Sequence, residues 1–288
     1  MQLTTPVETV ASSLRLDHST PLLLLGSCFS DEIGQRLQHA GFNVMCNPFG
    51  TLYNPLSIAL ALQQAIDDRA IGPEWLVQTE GLWHSWMHHS RFSRPDPDDC
   101  LTLCNQSIHQ AHSFLQHKPV VLITFGTAYC FFLQSGQVPP SMQGQVVANC
   151  HKMPASMFTR RRISIDQTVK AWLPFTHLAP VIFTVSPIRH MADGAHGNQL
   201  SKSTLLLATE QLATHCPDWH YFNSYEILLD ELRDYRFYAR DMCHPSDLAV
   251  DIIWQRFQDT YMSPATQQHC RDEERAFRQS QHRTIIQL

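Results

Sequence analysis

Apolar residues along the chain gather into short runs separated by segments of helical spacing. Residues 21–25 (PLLLL), 119–125 (PVVLITF) and 180–185 (PVIFTV) are nearly unbroken apolar stretches of strand length. Residues 42–46 read as another strand and 219–227 as a fifth. Runs that do not alternate with polar residues suit strands covered on both faces, as in a parallel sheet between helical layers. Helical signals lie between them. Ser30 or Asp31 is placed to cap a helix containing Ile33 and Leu37 and stopped by Gly41. Asn54 caps, and Pro55 opens, a helix through about residue 65. Residues 98–117 and 199–215 have helical spacing, Ser164 caps a helix reaching about 176, and Pro245 occupies a first helical position ahead of 257. Residues 264–282 read as a charged helix. Residues 74–94 read as a hairpin or irregular insertion, and 129–137 with 144–150 as an added antiparallel hairpin.

Strand–helix alternation predicts a doubly wound α/β fold. With no internal repeat or low-complexity linker, the expectation is one domain over 1–288, its core spanning about 21–260 and a helical tail about 262–288. Composition agrees. Hydrophobic residues make up 43% and charged residues 16% of 288, enough to bury a large core. A net charge of −5 gives no basic footprint for nucleic acid and no polybasic segment for a membrane. The apolar runs are far shorter than a bilayer span, and MQLTTPVETV has neither the basic nor the apolar region of a signal peptide. Nine cysteines, an odd number without a C-x-x-C pair, suit reduced thiols. A cytoplasmic protein with no nucleic-acid or membrane partner is therefore expected.

Ligands of doubly wound sheets bind beyond the carboxyl ends of the strands. Those positions carry Gly26, Ser27 and Cys28; Asn47, Gly50, Tyr53 and Asn54; Gly126 and Thr127; and Ser186, Arg189 and His190. A late RDMCHP segment adds Asp241 and His244. His244 is placed to take a proton from a nucleophile and Asp241 to orient the imidazole, since a three-residue spacing lets both come from one loop or helical turn. Ser27 and Cys28 stand side by side as candidate nucleophiles. A thiol at a helix N-terminus beside an imidazole is expected to ionise easily.

GSCFS followed by a helix, with a late D-x-x-H-P, resembles the SGNH/GDSL hydrolase pattern. More narrowly, GSCF, NPFGTLYNPLSI, HHSRFS, FGTAY, VANCHK, SPIRH and YEILLDELRDYRFY together resemble the GSCFA-domain family, from about Gly26 to Phe257. The resemblance implies a flavodoxin-like, three-layer α/β/α sandwich with a mostly parallel central sheet. It also implies acyl-ester chemistry, often on carbohydrates or lipids. Against the G-D-S-L signature of the wider group, Gly26 matches glycine, Ser27 falls on aspartate and Cys28 on the nucleophilic serine. Ser27 attacks instead if the turn is shifted by one residue. The wider group builds its oxyanion site from the nucleophile's own N–H, a glycine after the second strand and an asparagine after the third. Gly50 stands for that glycine. FGTAY retains Gly126 but has Ala128 at the asparagine position, so Asn54 or Asn149 is expected to supply the amide. Asn149, His151 and Lys152, together with Arg189 and His190, are candidates to bind the acyl acceptor or an anionic group.

Histidines form the second constellation. His84, His88 and His89 are close in sequence and Cys150 adjoins His151, but no C-x-x-C or H-E-x-x-H frame is present. Trp83, Trp86 and these histidines are expected to line a substrate cleft, where aromatic faces suit sugar rings. The resulting expectation is an esterase or O-acyltransferase acting on an acylated carbohydrate or similar small ester, with no cofactor or metal. The alternatives are a catalytically inactive glycan- or metabolite-binding domain and a zinc-dependent hydrolase.

Overall fold

The computed structural model describes residues 5–8, 10–134, 136, 138–178 and 180–285. In chain order the elements are β1 (Leu22–Gly26), α1 (Cys28–His39), β2 (Val44–Cys46) and α2 (Pro55–Ile66), then a hairpin of β3 (Leu76–Thr79) and β4 (Leu82–Ser85). Next come α3 (Pro97–Leu115), β5 (Val120–Phe125), β6 (Tyr129–Leu133), β7 (Val146–Val147), β8 (Phe158–Arg162) and α4 (Ile165–Trp172). The chain closes with β9 (Val181–Val185), α5 (Gly194–His215), β10 (Trp219–Phe222), a helical turn α6 (Ser224–Glu226), α7 (Asp247–Tyr261) and α8 (Pro264–Ile285).

β10, β9, β5, β1 and β2, in that order, form a five-stranded parallel sheet. Alternation along each strand feeds two cores. Leu23, Leu25, Ile123, Phe125, Phe183 and Val185 pack under α2, α3, α4 and α5. Leu22, Leu24, Leu122, Ile182 and Phe222 face α1 and α7. The fold is therefore a three-layer α/β/α sandwich. Trp172 anchors the first core, edge-on to Phe125 at 5.4 Å and Phe183 at 5.3 Å, with its indole N–H donating to Pro55 O at 3.2 Å. Among the described residues, no helix is long and apolar enough to cross a membrane.

Several boundaries differ from expectation for local reasons. α1 starts at Cys28, because the extended Ser27 is the cap and accepts the Phe29 N–H. Ser30 is instead inside the helix, its hydroxyl donating to Thr124 Oγ1 at 2.8 Å. The strand expected over 219–227 ends at Phe222. Thr184 Oγ1 bonds Phe222 O and Ser224 Oγ, and the chain turns into helix, so Ile227 and Leu228 bury into the α7 layer. The hairpin expected over 129–150 pairs as β6–β7, with residues 135 and 137 outside the described set. It gains a third strand, β8, whose FTRRR sequence conceals it. The Arg161 guanidinium lies 4.3 Å from the centre of the Phe132 ring, a cation–π contact on the face of this small sheet.

Gly26 ends β1 at φ +149°, and a Cβ there would stand 2.3 Å from Thr124 O. Its N–H donates to Asn47 Oδ1 at 2.9 Å. Only glycine allows β1 and β5 this approach. Gly26→Ala is expected to lower unfolding free energy by about 2–4 kcal/mol, read as a fall in urea midpoint. Gly81 also has positive φ but nothing within 4 Å of its missing Cβ. Gly81→Ala should cost only about 1 kcal/mol. Equal losses at the two positions would show that the β1–β5 contact is not what requires Gly26.

Candidate functional site

The carboxyl edge of the sheet opens into a cavity of about 690 Å³ lined by Cys28, Tyr53, Asn54, Tyr129, Arg189 and His244, among others. Cys28 reaches it because α1 begins immediately beyond the Gly26 turn. His244 comes from the loop before α7. Its Nε2 lies 3.6 Å from Cys28 Sγ, and its Nδ1 lies 2.5 Å from Asp241 Oδ2. Asp241 also accepts the backbone N–H groups of His244 and Cys243, at 3.0 and 2.9 Å. These backbone bonds, reinforced by the imidazole, hold the exposed carboxyl down at about 2. The acid is thus ionised and the ring is fixed with one nitrogen facing the thiol.

Cys28 does not have the lowered pKa expected of a helix N-terminus. Burial raises it, and Asp31 and Glu32 add to the rise. The turn that exposes Cys28 therefore also keeps its proton on sulfur at rest. Ser27 is only 1% exposed, and its Oγ is occupied in capping α1 rather than on the cavity wall.

A polar face of α5 holds the remaining loops, and nothing in the spacing of HGNQLSKS marks it as more than a solvated surface. Asn198 Oδ1 accepts the His190 N–H at 2.9 Å. Ser201 Oγ accepts the Ala128 N–H at 2.7 Å and bonds Thr127 Oγ1 at 3.1 Å. Lys202, only 1% exposed, donates to Gly126 O and Ser186 O, both at 2.7 Å. The loops after β5 and β9 are thereby tied to one helix. Burial pushes the Lys202 ammonium down to about 7. Burial, and then the Lys202 charge, push His190 down to about 4. His190 Nε2 has no partner among the described residues and would lie 3.4 Å from a Cβ on Gly126.

The other candidates divide. Asn54 is on the cavity wall, where its Oδ1 caps α2 and its Nδ2 donates to Ser57 Oγ, leaving one amide hydrogen without a partner among the described residues. Arg189 also lines the cavity. Gly126 lies beneath it, donating to Tyr53 O. Gly50 does not take the expected oxyanion position: its N–H is spent on Asn47 O and its Cα packs against His89. Asn149, His151, Lys152, His88 and His89 are likewise absent from the wall. Asn149 Oδ1 accepts the His151 N–H. His151 donates to Ser85 O and stacks on His84 at 4.6 Å. His88 is enclosed between the Ser85 and Ser107 hydroxyls, and burial pushes it down to about 3. Lys152 pairs with exposed Glu80. Trp86 is buried against Phe158, and Trp83 packs against the main core. The aromatic rings of the cavity are instead Tyr53, Tyr129 and Phe131. No three His, Cys, Asp or Glu side chains among the described residues converge on a metal position.

Lys202 generates a pH-dependent stability. Below about pH 7 folded and unfolded chains both carry its proton; between there and 10.5 only the unfolded chain does. Stability therefore rises with pH through that window. In urea unfolding, the wild-type minus Lys202→Met difference should grow by about 1–3 kcal/mol from pH 7 to 9. A flat difference would contradict the depressed ammonium.

The sequence model of the GSCFA family matches residues 21–257, from the residue before β1 into α7, and so spans the whole parallel sheet together with Cys28, Lys202, Asp241 and His244. Comparison with curated proteins and with solved structures returns no match. With about four-fifths of its length under that one match, the chain belongs to the GSCFA family.

Proposed function

We propose that this protein is an SGNH-like acyl-transfer enzyme, an ester hydrolase or O-acyltransferase, with Cys28 as nucleophile, His244 as base and Asp241 as its orienter. The observation that carries this reading is the connected line of Cys28 Sγ, His244 and Asp241, at 3.6 and 2.5 Å, with Cys28 and His244 on the wall of a cavity at the sheet's carboxyl edge. Nucleophile, base and orienting acid in sequence are the minimum that acyl transfer needs.

The raised thiol determines how the step runs. Because sulfur keeps its proton at rest, His244 Nε2 takes that proton as Sγ bonds the acyl carbon. The carbonyl electron pair moves onto oxygen. Cys28 N–H, at the first position of α1, has no intrahelical acceptor and is directed to that oxygen. The free amide hydrogen of Asn54 is the second donor, taking the role that Ala128 cannot fill. Collapse expels the alcohol, which leaves with the proton from His244. Water or an acceptor hydroxyl then gives its proton to His244, attacks the thioester and releases Cys28, which regains its proton. Ionised Asp241 stabilises the imidazolium in both halves.

Tyr53 supplies an aromatic ring, Tyr129 and Phe131 supply rings on which Arg160 is stacked, and Asn54 and the Arg160–Asp193 pair supply polar edges. This mixture favours an acylated carbohydrate or a comparable small polar ester. A second reading, a metabolite-binding domain without catalysis, draws on Ala128 and on the protonated thiol. Product formation separates the two.

With p-nitrophenyl acetate, Cys28→Ala and His244→Ala should abolish turnover, and Asp241→Asn should lower kcat/KM on the order of 10²–10⁴-fold. Ser27→Ala should retain turnover while losing about 1 kcal/mol of stability with the helix cap. Retained turnover in Cys28→Ala would overturn the assignment. Iodoacetamide alkylation of Cys28 should have its pH midpoint above the ordinary thiol value of 9.0. A midpoint below that value would contradict the raised thiol.

A further inference from the structure

Two guanidinium groups line the cavity, and they are in opposite states. Arg160 is ion-paired with Asp193 and stacked on aromatic rings, 4.2 Å from the centre of Tyr129 and 5.3 Å from that of Phe131. Its charge and its flat face are both in use. Arg189 has no carboxylate within ion-pair distance among the described residues. One nitrogen, Nη1, donates to Met242 O at 3.2 Å, and the group lies 5.8 Å from the centre of the Tyr238 ring. A guanidinium has five N–H donors. The rest of this fork has no protein partner among the described residues, yet none of its nitrogens is a buried orphan. Those nitrogens are therefore accessible, on a residue that lines the cavity.

The neighbouring charges do not cancel it. Asp193 is taken by Arg160, and Asp241 by His244 and two backbone N–H groups. Lys202 lies buried beneath the floor on two carbonyls. Arg189 is also held in place: its backbone N–H donates to Cys243 O at 3.1 Å, in the loop that carries His244. A cation anchored on one side and vacant on the other, on the same wall as the nucleophile and base, is a preorganised half of a charge-assisted bidentate contact.

We propose that Arg189 forms an anion subsite of this cavity, and that the ester acted on at Cys28 carries a carboxylate or phosphate recognised there. The identity of the anion as part of an acyl substrate rests on the acyl-transfer reading; the subsite itself does not. The Arg189 fork pairs with two oxygens of the anion, and Tyr53 and Tyr129 flank the body of the molecule. A neutral ester of the same size forgoes the charged contact.

The test is protection of Cys28. The full-length protein is alkylated with iodoacetamide at constant ionic strength, with potassium chloride as balance, and Cys28 modification is followed by peptide mass spectrometry. Inorganic phosphate is titrated in one arm and succinate in another. Saturable slowing by at least one anion is expected, and the more protective anion identifies the head group. Arg189→Gln should weaken protection about 10–100-fold, the loss of a charged hydrogen-bonding pair. Arg189→Lys keeps the charge without the fork and should fall between, and it remains informative if the glutamine variant disturbs the Met242 loop. No saturable protection of wild type by either anion, or equal protection in both variants, would overturn the subsite. Ester turnover without anion protection would remove the subsite alone. Anion protection without ester turnover would support the subsite and remove the acyl-transfer reading.

Discussion

The site depends on a contact with no side chain in it. At the end of β1, Gly26 approaches Thr124 so closely that a Cβ would stand 2.3 Å from the carbonyl oxygen, while its N–H is held by the Asn47 side chain. That contact fixes where β1 stops. Ser27 is then extended and caps a helix, and Cys28 becomes its first residue, facing outward at the sheet's edge. Asn47 at φ +44° takes part from the other side, its Nδ2 donating to Asp31 Oδ1 at 2.8 Å. Strand, turn and helix start form one hydrogen-bonded unit, so the thiol's position does not depend on a flexible loop.

The second half of the site is organised from α5. Asn198, Ser201 and Lys202 are spaced to share one helix face, and each bonds a backbone group in a loop beyond β5 or β9. Burying an ammonium is costly, and the depressed Lys202 pKa expresses that cost. In return, two carbonyls at the ends of adjacent strands receive donors that no neighbouring strand supplies. His244 and Asp241 complete the arrangement from a third loop, joined to the β9 loop through Arg189. Three separate segments thus converge on one cavity, each tied down by hydrogen bonds to its backbone.

Much of this was legible in the sequence, for identifiable reasons. The unbroken apolar runs of β1, β5 and β9 require a sheet covered on both sides, and Gly26, Cys28, Asp241 and His244 fall where such a sheet presents chemistry. Other features were hidden because their cause is tertiary. Lys202 and Asn198 look like solvent-facing helix residues until the loops fold over them. FTRRR carries no apolar strand pattern, yet it pairs with β6, and the Arg161 guanidinium stacks on the Phe132 ring beside it. Residues 219–227 look like a long strand because the apolar pattern is the same whether Ile227 and Leu228 serve a strand or a helix face. The Cys28 pKa was misjudged because helix position favours the thiolate, whereas burial and the acids of the first turn oppose it. The histidines near Trp86 formed a buried structural cluster, a distinction that sequence proximity does not make.

The central claim is that Cys28 forms a bond to an acyl group with help from His244. The most direct measurement is intact-protein and peptide mass spectrometry after brief exposure to p-nitrophenyl acetate, with His244→Ala run in parallel. The account predicts one acetyl group on the peptide bearing Cys28, on sulfur, absent from the variant. An acetyl on Ser27, or no acetyl on either residue, would contradict it.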